Sequence, residues 1–469
     1  MNRTQLVLLA SSLAAGALTL LPSPAHAAAC IVDQTGLFPS AYPDIASALS
    51  VCDGTTGMDE ILFYCEQAHN TCEIEGFSLV SQQIVFKVIG GSDRPVFYTG
   101  ISAEDSELHV LGAMKISTPF DPAVEALSSV VTLRGDGDYI TLAAGGAPAL
   151  RVVGASSVEL ERVQLRDSFI GLQTEPYLGD APVIEAREVS FSHNQTAGVI
   201  DSFATTCGAP PSPTHTQLDL LLGQGNQPNY VEGNGAGFVL RGDARMTAEH
   251  TIFLRNLGWG LTHPSLVEVG DAADFRGVNL LGYDNDDIAD LGLPLSSWLT
   301  VPVASVVRTT DCATVDIDAS TFAHNRIEYG LSTGSSEPMY VHATVLEETG
   351  RKGLNGSSGI LFTDGTTTIH GSQSNWDGCE VNYYGPPVAT CPPMAGTVSD
   401  DPMLDASTAP SWSPYPLVME DLFLVGNPRE VGPVLADDLL DPATAWSTDG
   451  VTRDTGLVDW GYHNPCSGC

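Results

Sequence analysis

Val158-Glu-Leu-Glu-Arg-Val-Gln-Leu-Arg-Asp-Ser168, Ile184-Glu-Ala-Arg-Glu-Val-Ser-Phe-Ser-His-Asn194 and Met246-Thr-Ala-Glu-His-Thr-Ile-Phe-Leu-Arg-Asn256 are copies of one frame. Each begins with an apolar residue, repeats it two positions later, crosses a polar gap, reaches Leu or Phe seven positions after the start, and closes on Ser or Asn. Residues two apart on a strand share a face, so each copy places two short strands around a bend with their apolar sides together. Such a unit cannot bury that side alone. Stacking on its neighbours gives a continuous core, the logic of a solenoid. Working outward, the frame returns at Ala273 (with Phe275, Val278 and Leu280), Val315 (Ile317, Phe322, Asn325), Met339 (Val341, Leu346) and Ile369 (Trp376). Two longer gaps, 195–245 and 284–314, contain Cys207-Gly-Ala-Pro-Pro-Ser-Pro213 and Asp284-Asn-Asp-Asp-Ile-Ala-Asp290 and read as outward loops. The position three after each start carries Glu161, Arg187, Glu249, Arg276 and Asp318, an alternation of sign that stacking would make attractive.

The ends of the chain suggest where it works. Asn2 and Arg3, an apolar run from Leu6 to Leu21 and an Ala-x-Ala exit at Ala25–Ala27 read as a secretory signal over residues 1–27. No later apolar stretch has spanning length, so no transmembrane span is expected. The 10 cysteines are an even number that can pair completely in an oxidising compartment, which argues against lipidation at Cys30. Cys65 with Cys72, Cys379 with Cys391, and Cys466 with Cys469 are local candidates, although spacing alone leaves the connectivity open. With 57 acidic against 19 basic residues the net charge is −38, a field that repels nucleic acid and anionic surfaces. A secreted or cell-surface monomer follows, whose partner is an extracellular polysaccharide or a cell-envelope component. An acidic polysaccharide would need a bridging Ca²⁺.

Three segments resemble the right-handed parallel β-helix, or pectate-lyase-like, superfamily of exported bacterial proteins. Tyr42-Pro-Asp-Ile-Ala-Ser-Ala-Leu-Ser-Val-Cys52 with Asp59-Glu-Ile-Leu-Phe63 is similar to its opening helix and first strand. The repeats resemble its coils, and Asp454-Thr-Gly-Leu-Val-Asp-Trp-Gly-Tyr-His463 resembles a closing segment. The resemblance implies an all-β, right-handed parallel β-helix with a short N-terminal capping helix and loop insertions, spanning 28–400 and followed by an irregular capping segment, 401–469. It does not select an activity, since such folds serve lyases, hydrolases, esterases and non-catalytic surface proteins alike. The Gly-Arg-Pro-Trp segment of pectin methylesterases and the Gly-His-Gly and Arg-Ile-Lys signatures of polygalacturonases are missing. Basic residues of the kind lyases place beside Ca²⁺ are scarce throughout.

Candidate chemistry falls in three groups. Asp316 and Asp318 flank Ile317 and point the same way, with Asp274 and Glu249 on neighbouring coils by the same frame, a carboxylate set of the kind glycoside hydrolysis uses. The competing reading is a solvated acidic face paired with Arg187 and Arg276. His193, Arg255 and His324 precede the closing residue of three coils and form a candidate ligand-binding stripe. Asp284, Asp286, Asp287 and Asp290 offer oxygen ligands for Ca²⁺, without the central Gly or terminal Glu of a helix-loop-helix site. Asn194, Asn256 and Asn325 read as an internal hydrogen-bonding ladder at a bend. The expected function is a non-catalytic β-helix that presents its side to carbohydrate or envelope, with a polysaccharide lyase or glycoside hydrolase as the alternative.

Overall fold

The computed structural model describes residues 29–33, 38–55, 57–64, 72–89, 94–209, 212–224, 227–256, 265–283, 285, 305–323, 325, 329–342, 344–347, 360–363, 368–370, 430–435 and 457–459. The backbone there is a parallel β-helix built of three long sheets with 13, 12 and 10 strands. Sheet 1 runs from Ala29–Asp33 to Ile360–Thr363, sheet 2 from Glu73–Ile74 to Thr368–His370, and sheet 3 from Ser78–Val80 to Tyr329–Ser335. The chain visits them in turn: Gln83–Ile89 lies in sheet 1, Val96–Phe97 in sheet 2, Ile101–Glu104 in sheet 3, and Glu107–Leu111 returns to sheet 1 one coil on. A single short helix is described, Ile45–Leu49, capped by the Asp44 carboxylate accepting from Ser47 N at 2.6 Å. Within the 401–469 segment, Glu430–Leu435 pairs antiparallel with Leu457–Asp459.

Alternation on each strand produces the core. In sheet 1, Val158, Ile184, Leu218, Met246, Phe275, Val315 and Met339 stack through successive coils with every one of them buried. In sheet 2 the column is Leu165, Phe191, Val231, Phe253, Gly282 and Phe322. Rings fill the space that small neighbours leave: a Cβ on Gly282 would lie 2.5 Å from Phe322 Cδ1, and one on Gly198 2.6 Å from Phe238 Cδ1. Phe238 in turn meets Phe191 edge-on at 5.1 Å between centroids. Each fully buried Phe adds roughly 1.5–3 kcal/mol of transfer free energy.

Register corrects the repeat in four places. The segment 195–245 is no outward loop: Gln217–Leu221, Asn229–Glu232 and Phe238–Arg241 give it one strand in each sheet, a complete coil. Its Leu218, Leu220 and Val231 obey the frame, but seven residues between strands (222–228) stretch the spacing beyond it. The coil placed at Ala273 starts at Phe275, which pairs with Met246 and Val315. Ala273 is a buried corner residue, and Gly277 stands where the second apolar residue belongs, so a two-residue slip gave the better apolar match. Ile369 lies in sheet 2 against Leu346 rather than opening a coil. The supposed loop 284–314 likewise contains the sheet 3 strand Ser305–Asp311. The charge alternation fails with the register: the column reads Arg134, Glu161, Arg187, Leu221 and then, from Glu249, Val278 and Asp318.

Two corners are fastened by side-chain ladders. Between sheets 2 and 3, Asn194, Asn234, Asn256, Asn285 and Asn325 are buried one per coil. Each Oδ1 accepts from the previous member's backbone N, as from Asn194 N to Asn234 (3.0 Å), Asn234 N to Asn256 (3.1 Å) and Asn256 N to Asn285 (2.9 Å). Each Nδ2 of Asn194, Asn234, Asn256 and Asn285 donates to the next Oδ1 and to a strand carbonyl behind it. Between sheets 3 and 1, Ser106, Ser129 and Ser156 play the same part, with Ser106 N donating to Ser129 Oγ and Ser129 N to Ser156 Oγ.

Cys30 is bonded to Cys52, and Cys207 to Cys312 across 105 residues. Cys72 is also disulfide-bonded, while Cys65 and the other proposed pairs lie outside the described residues, as does the segment 1–27 expected to be a signal. Among the described residues no helix is long and apolar enough to cross a membrane.

Candidate functional site

The proposed carboxylate set divides over three outward columns of sheet 1. Asp274 pairs with Thr314, whose hydroxyl donates to Asp274 Oδ1 at 2.6 Å. Asp316 stands in a second column beside Arg276. Glu249 and Asp318 share the third, two rungs apart with Val278 between them. At about 4.8 Å per rung their backbones are separated by roughly 10 Å. Burial pushes the Glu249 carboxyl up; Arg276 and Arg187 pull it down, while Asp219 adds to the rise. Arg187 is itself paired with Glu185 at 2.8 Å and donates to the Leu222 carbonyl. These side chains are spread over three columns of the sheet face, and the two that share a column, Glu249 and Asp318, stand two rungs apart.

The corner between sheets 2 and 3 gathers more. Asp167, His193, Gly233 and Arg255 occupy its left-handed turn position, with φ of +51°, +55°, +63° and +50°. Their amides donate along the stack, Asp167 N to Ser192 O, His193 N to Glu232 O and Gly233 N to Leu254 O. His193 and Arg255 therefore do lie in one stripe, but Gly233 intervenes, 3.3 Å from His193 Cδ2 to where its Cβ would be. Left-handed backbone costs an L-residue roughly 1–2 kcal/mol, which glycine avoids. Beside the stripe, Glu232 ends its sheet 2 strand in register with Ser192 and Leu254; burial raises its carboxyl, and the nearby Arg255 guanidinium opposes that rise. His324 lies outside the described residues, and so do Asp284, Asp286, Asp287 and Asp290. Among the described residues no group of three or more acidic, His or Cys side chains could hold a metal ion.

The same corner carries rings that the sequence reading missed. Tyr98, Phe120 and Phe169 follow sheet 2 strands of three different coils and are 45%, 80% and 51% exposed. Phe120 sits in the turn Thr118-Pro-Phe-Asp-Pro122, and its ring lies over Gly146 of the next coil, with Cδ1 3.6 Å from where a Cβ would stand. Phe169 N donates to Ala147 O of that same intervening coil. The rings and the His193, Glu232 and Arg255 side chains thus follow one edge of the solenoid. The available signal was the residue after the closing Ser168, where Phe169 breaks an otherwise polar turn.

Fold and edge together define a disulfide-bonded parallel β-helix with an aromatic, charged corner. No family model matches the chain, nor does any curated protein or solved structure.

Proposed function

We propose that this chain is an exported β-helix that binds an extracellular glycan, without cleaving it, along the corner between sheets 2 and 3. The observation that carries the reading is the exposed row Tyr98, Phe120 and Phe169 on a rigid edge. Large rings left in water on an ordered scaffold mark an interaction surface, and aromatic residues dominate binding energy where they occur. The CH faces of a sugar ring stack on such rings, and hydroxyls find polar partners in His193, Glu232 and Arg255. The charge of −38 favours a neutral glycan over an acidic one.

The test is affinity electrophoresis of the mature protein through gels containing soluble neutral polysaccharides. Retardation by one of them, lost in a Phe120→Ala/Phe169→Ala double variant with unchanged circular dichroism, is the expected result. A double variant retarded as strongly as wild type removes the corner as the binding site. One observation favours hydrolysis: Glu249, with its raised carboxyl, shares a column with Asp318. Reducing-end release from a bound glycan, abolished by Glu249→Gln, would establish that alternative.

A further inference from the structure

A second surface lies on a different edge, between sheets 3 and 1, and owes nothing to the aromatic corner. A groove of about 590 Å³ runs there along the stack, lined by Ser81, Gln83, Asp105, Glu107, Ser128 and Val130 among others. Its rim is a regular array. Ser81, Asp105 and Ser128 take the left-handed turn position of three successive coils, with φ of +55°, +48° and +49°. They are linked by Ser81 N donating to Glu104 O and Asp105 N to Leu127 O, each at 3.0 Å. Alongside them Gln83, Glu107 and Val130 form one register column of sheet 1.

The floor beneath is already satisfied. Ser106 Oγ accepts from Gln82 N and donates to Glu104 O, and Ser129 Oγ accepts from Ser106 N and donates to Leu127 O. The groups that face a ligand are therefore the outer ones: hydroxyls of Ser81 and Ser128, the Gln83 amide, and the carboxylates of Asp105 and Glu107. Glu107 has His109 Nε2 at 3.1 Å on its outer side, and no Lys or Arg lines the groove. Both carboxylates belong to the middle coil, with neutral hydrogen-bonding residues on the coil before it and Ser128 on the coil after.

We infer that this groove binds a protonated primary amine carried on a short hydroxyl-rich or linear chain, the ammonium held between Asp105 and Glu107 and the flanking groups held by Ser81, Gln83 and Ser128. Anions are disfavoured by two carboxylates in a lining that holds no Lys or Arg, and apolar ligands by the absence of any ring there. Three rungs at about 4.8 Å each set an occupied length of roughly 10 Å, which fits two to three sugar units or a small polyamine.

The experiment is isothermal titration of the mature, disulfide-intact protein at about 0.15 M ionic strength, where diffuse attraction to a polyanion is screened. Three probes are compared: a (1→4)-linked glucosamine trimer, its fully N-acetylated counterpart and spermidine. Saturable one-to-one binding of an amine probe is expected, with no binding of the N-acetylated trimer and at least about a tenfold loss in Asp105→Asn/Glu107→Gln. Preference for the trimer identifies an amino sugar, and preference for spermidine a linear polyamine. The Phe120→Ala/Phe169→Ala variant retains this binding whatever becomes of the aromatic corner. No saturable binding of either amine, or binding that survives Asp105→Asn/Glu107→Gln, overturns the assignment.

Discussion

Replacing Asn256 by Ala removes the centre of the asparagine ladder. The side chain makes four hydrogen bonds: Oδ1 accepts from Asn234 N and Asn234 Nδ2, both at 3.1 Å, and Nδ2 donates to Val231 O at 2.8 Å and Asn285 Oδ1 at 2.9 Å. Asn256 is 2% exposed, so water does not replace these partners without rearrangement. At about 1 kcal/mol net per bond, with an additional penalty for the stranded Asn234 N–H, the loss comes to roughly 3–5 kcal/mol. Because each coil touches only its neighbours, the effect falls first on the adjacent rungs. Amide hydrogen exchange measures it. The amide of Asn234, which donates to Asn256, should exchange about two to three orders of magnitude faster, and that of Asn194 should follow by less. Amides of Ser106 and Ser129, which donate to Ser129 Oγ and Ser156 Oγ at the other corner, serve as controls and keep their protection. If Asn234 exchanges within about threefold of wild type, the side chains do not act as a connected network and the estimate is refuted.

Two further outcomes follow from corner geometry and burial. Gly233→Ala forces a Cβ into a left-handed position 3.3 Å from the His193 ring, and should lower the urea midpoint by the equivalent of about 1 kcal/mol at unchanged slope; a higher midpoint would contradict the backbone assignment. Glu249 has its folded-state carboxyl raised by burial, so between the unfolded and folded pKa values the folded protein binds more proton there than the unfolded chain, and stability contributed by this group falls as pH rises above the ordinary glutamate range. Glu249→Gln should therefore stabilise the protein near neutral pH and lose that advantage below about pH 4.3, read as the difference in thermal midpoint across a pH series. A variant less stable than wild type at neutral pH would mean that Arg276 and Arg187 outweigh burial.

The inward columns were legible because period-two alternation leaves the same mark wherever a strand is half buried, as at Val158–Leu160 and Val315–Ile317. The asparagine ladder was legible at Asn194, Asn256 and Asn325, and it has the buried geometry expected of it. Asn234 and Asn285 escaped because each sits in a coil whose spacing or register was misread. The reason is physical: a coil is defined by which residues pair across rungs, and turns of any length satisfy that condition. The 222–228 turn and Gly277 altered the linear pattern without altering the pairing. Site residues were less legible than core residues. By the frame Asp274 and Asp316 hold the same position, but the register puts Thr314 beside Asp274 and Arg276 beside Asp316, because a two-residue slip preserves the face while moving a side chain to a different column.

The ladders explain why both proposed surfaces lie on corners. Sheet positions are committed to parallel pairing, so their side chains advance at the fixed rise between rungs and offer only a flat array. A corner is free to vary in length, from Tyr98–Gly100 in one coil to the turn around Phe120 in the next, yet a turn that varies would ordinarily lose its alignment with its neighbours. A buried amide or hydroxyl that binds the backbone of the adjacent coil restores that alignment immediately beside the variable residues. Ser168 Oγ and N close the amide ladder next to Phe169, donating from N to Asn194 Oδ1 at 3.1 Å, and Ser106 and Ser129 do the same beside Asp105 and Ser128. Variable side chains on a fixed rung are what a binding surface requires, since the rung supplies preorganisation and the variation supplies chemistry.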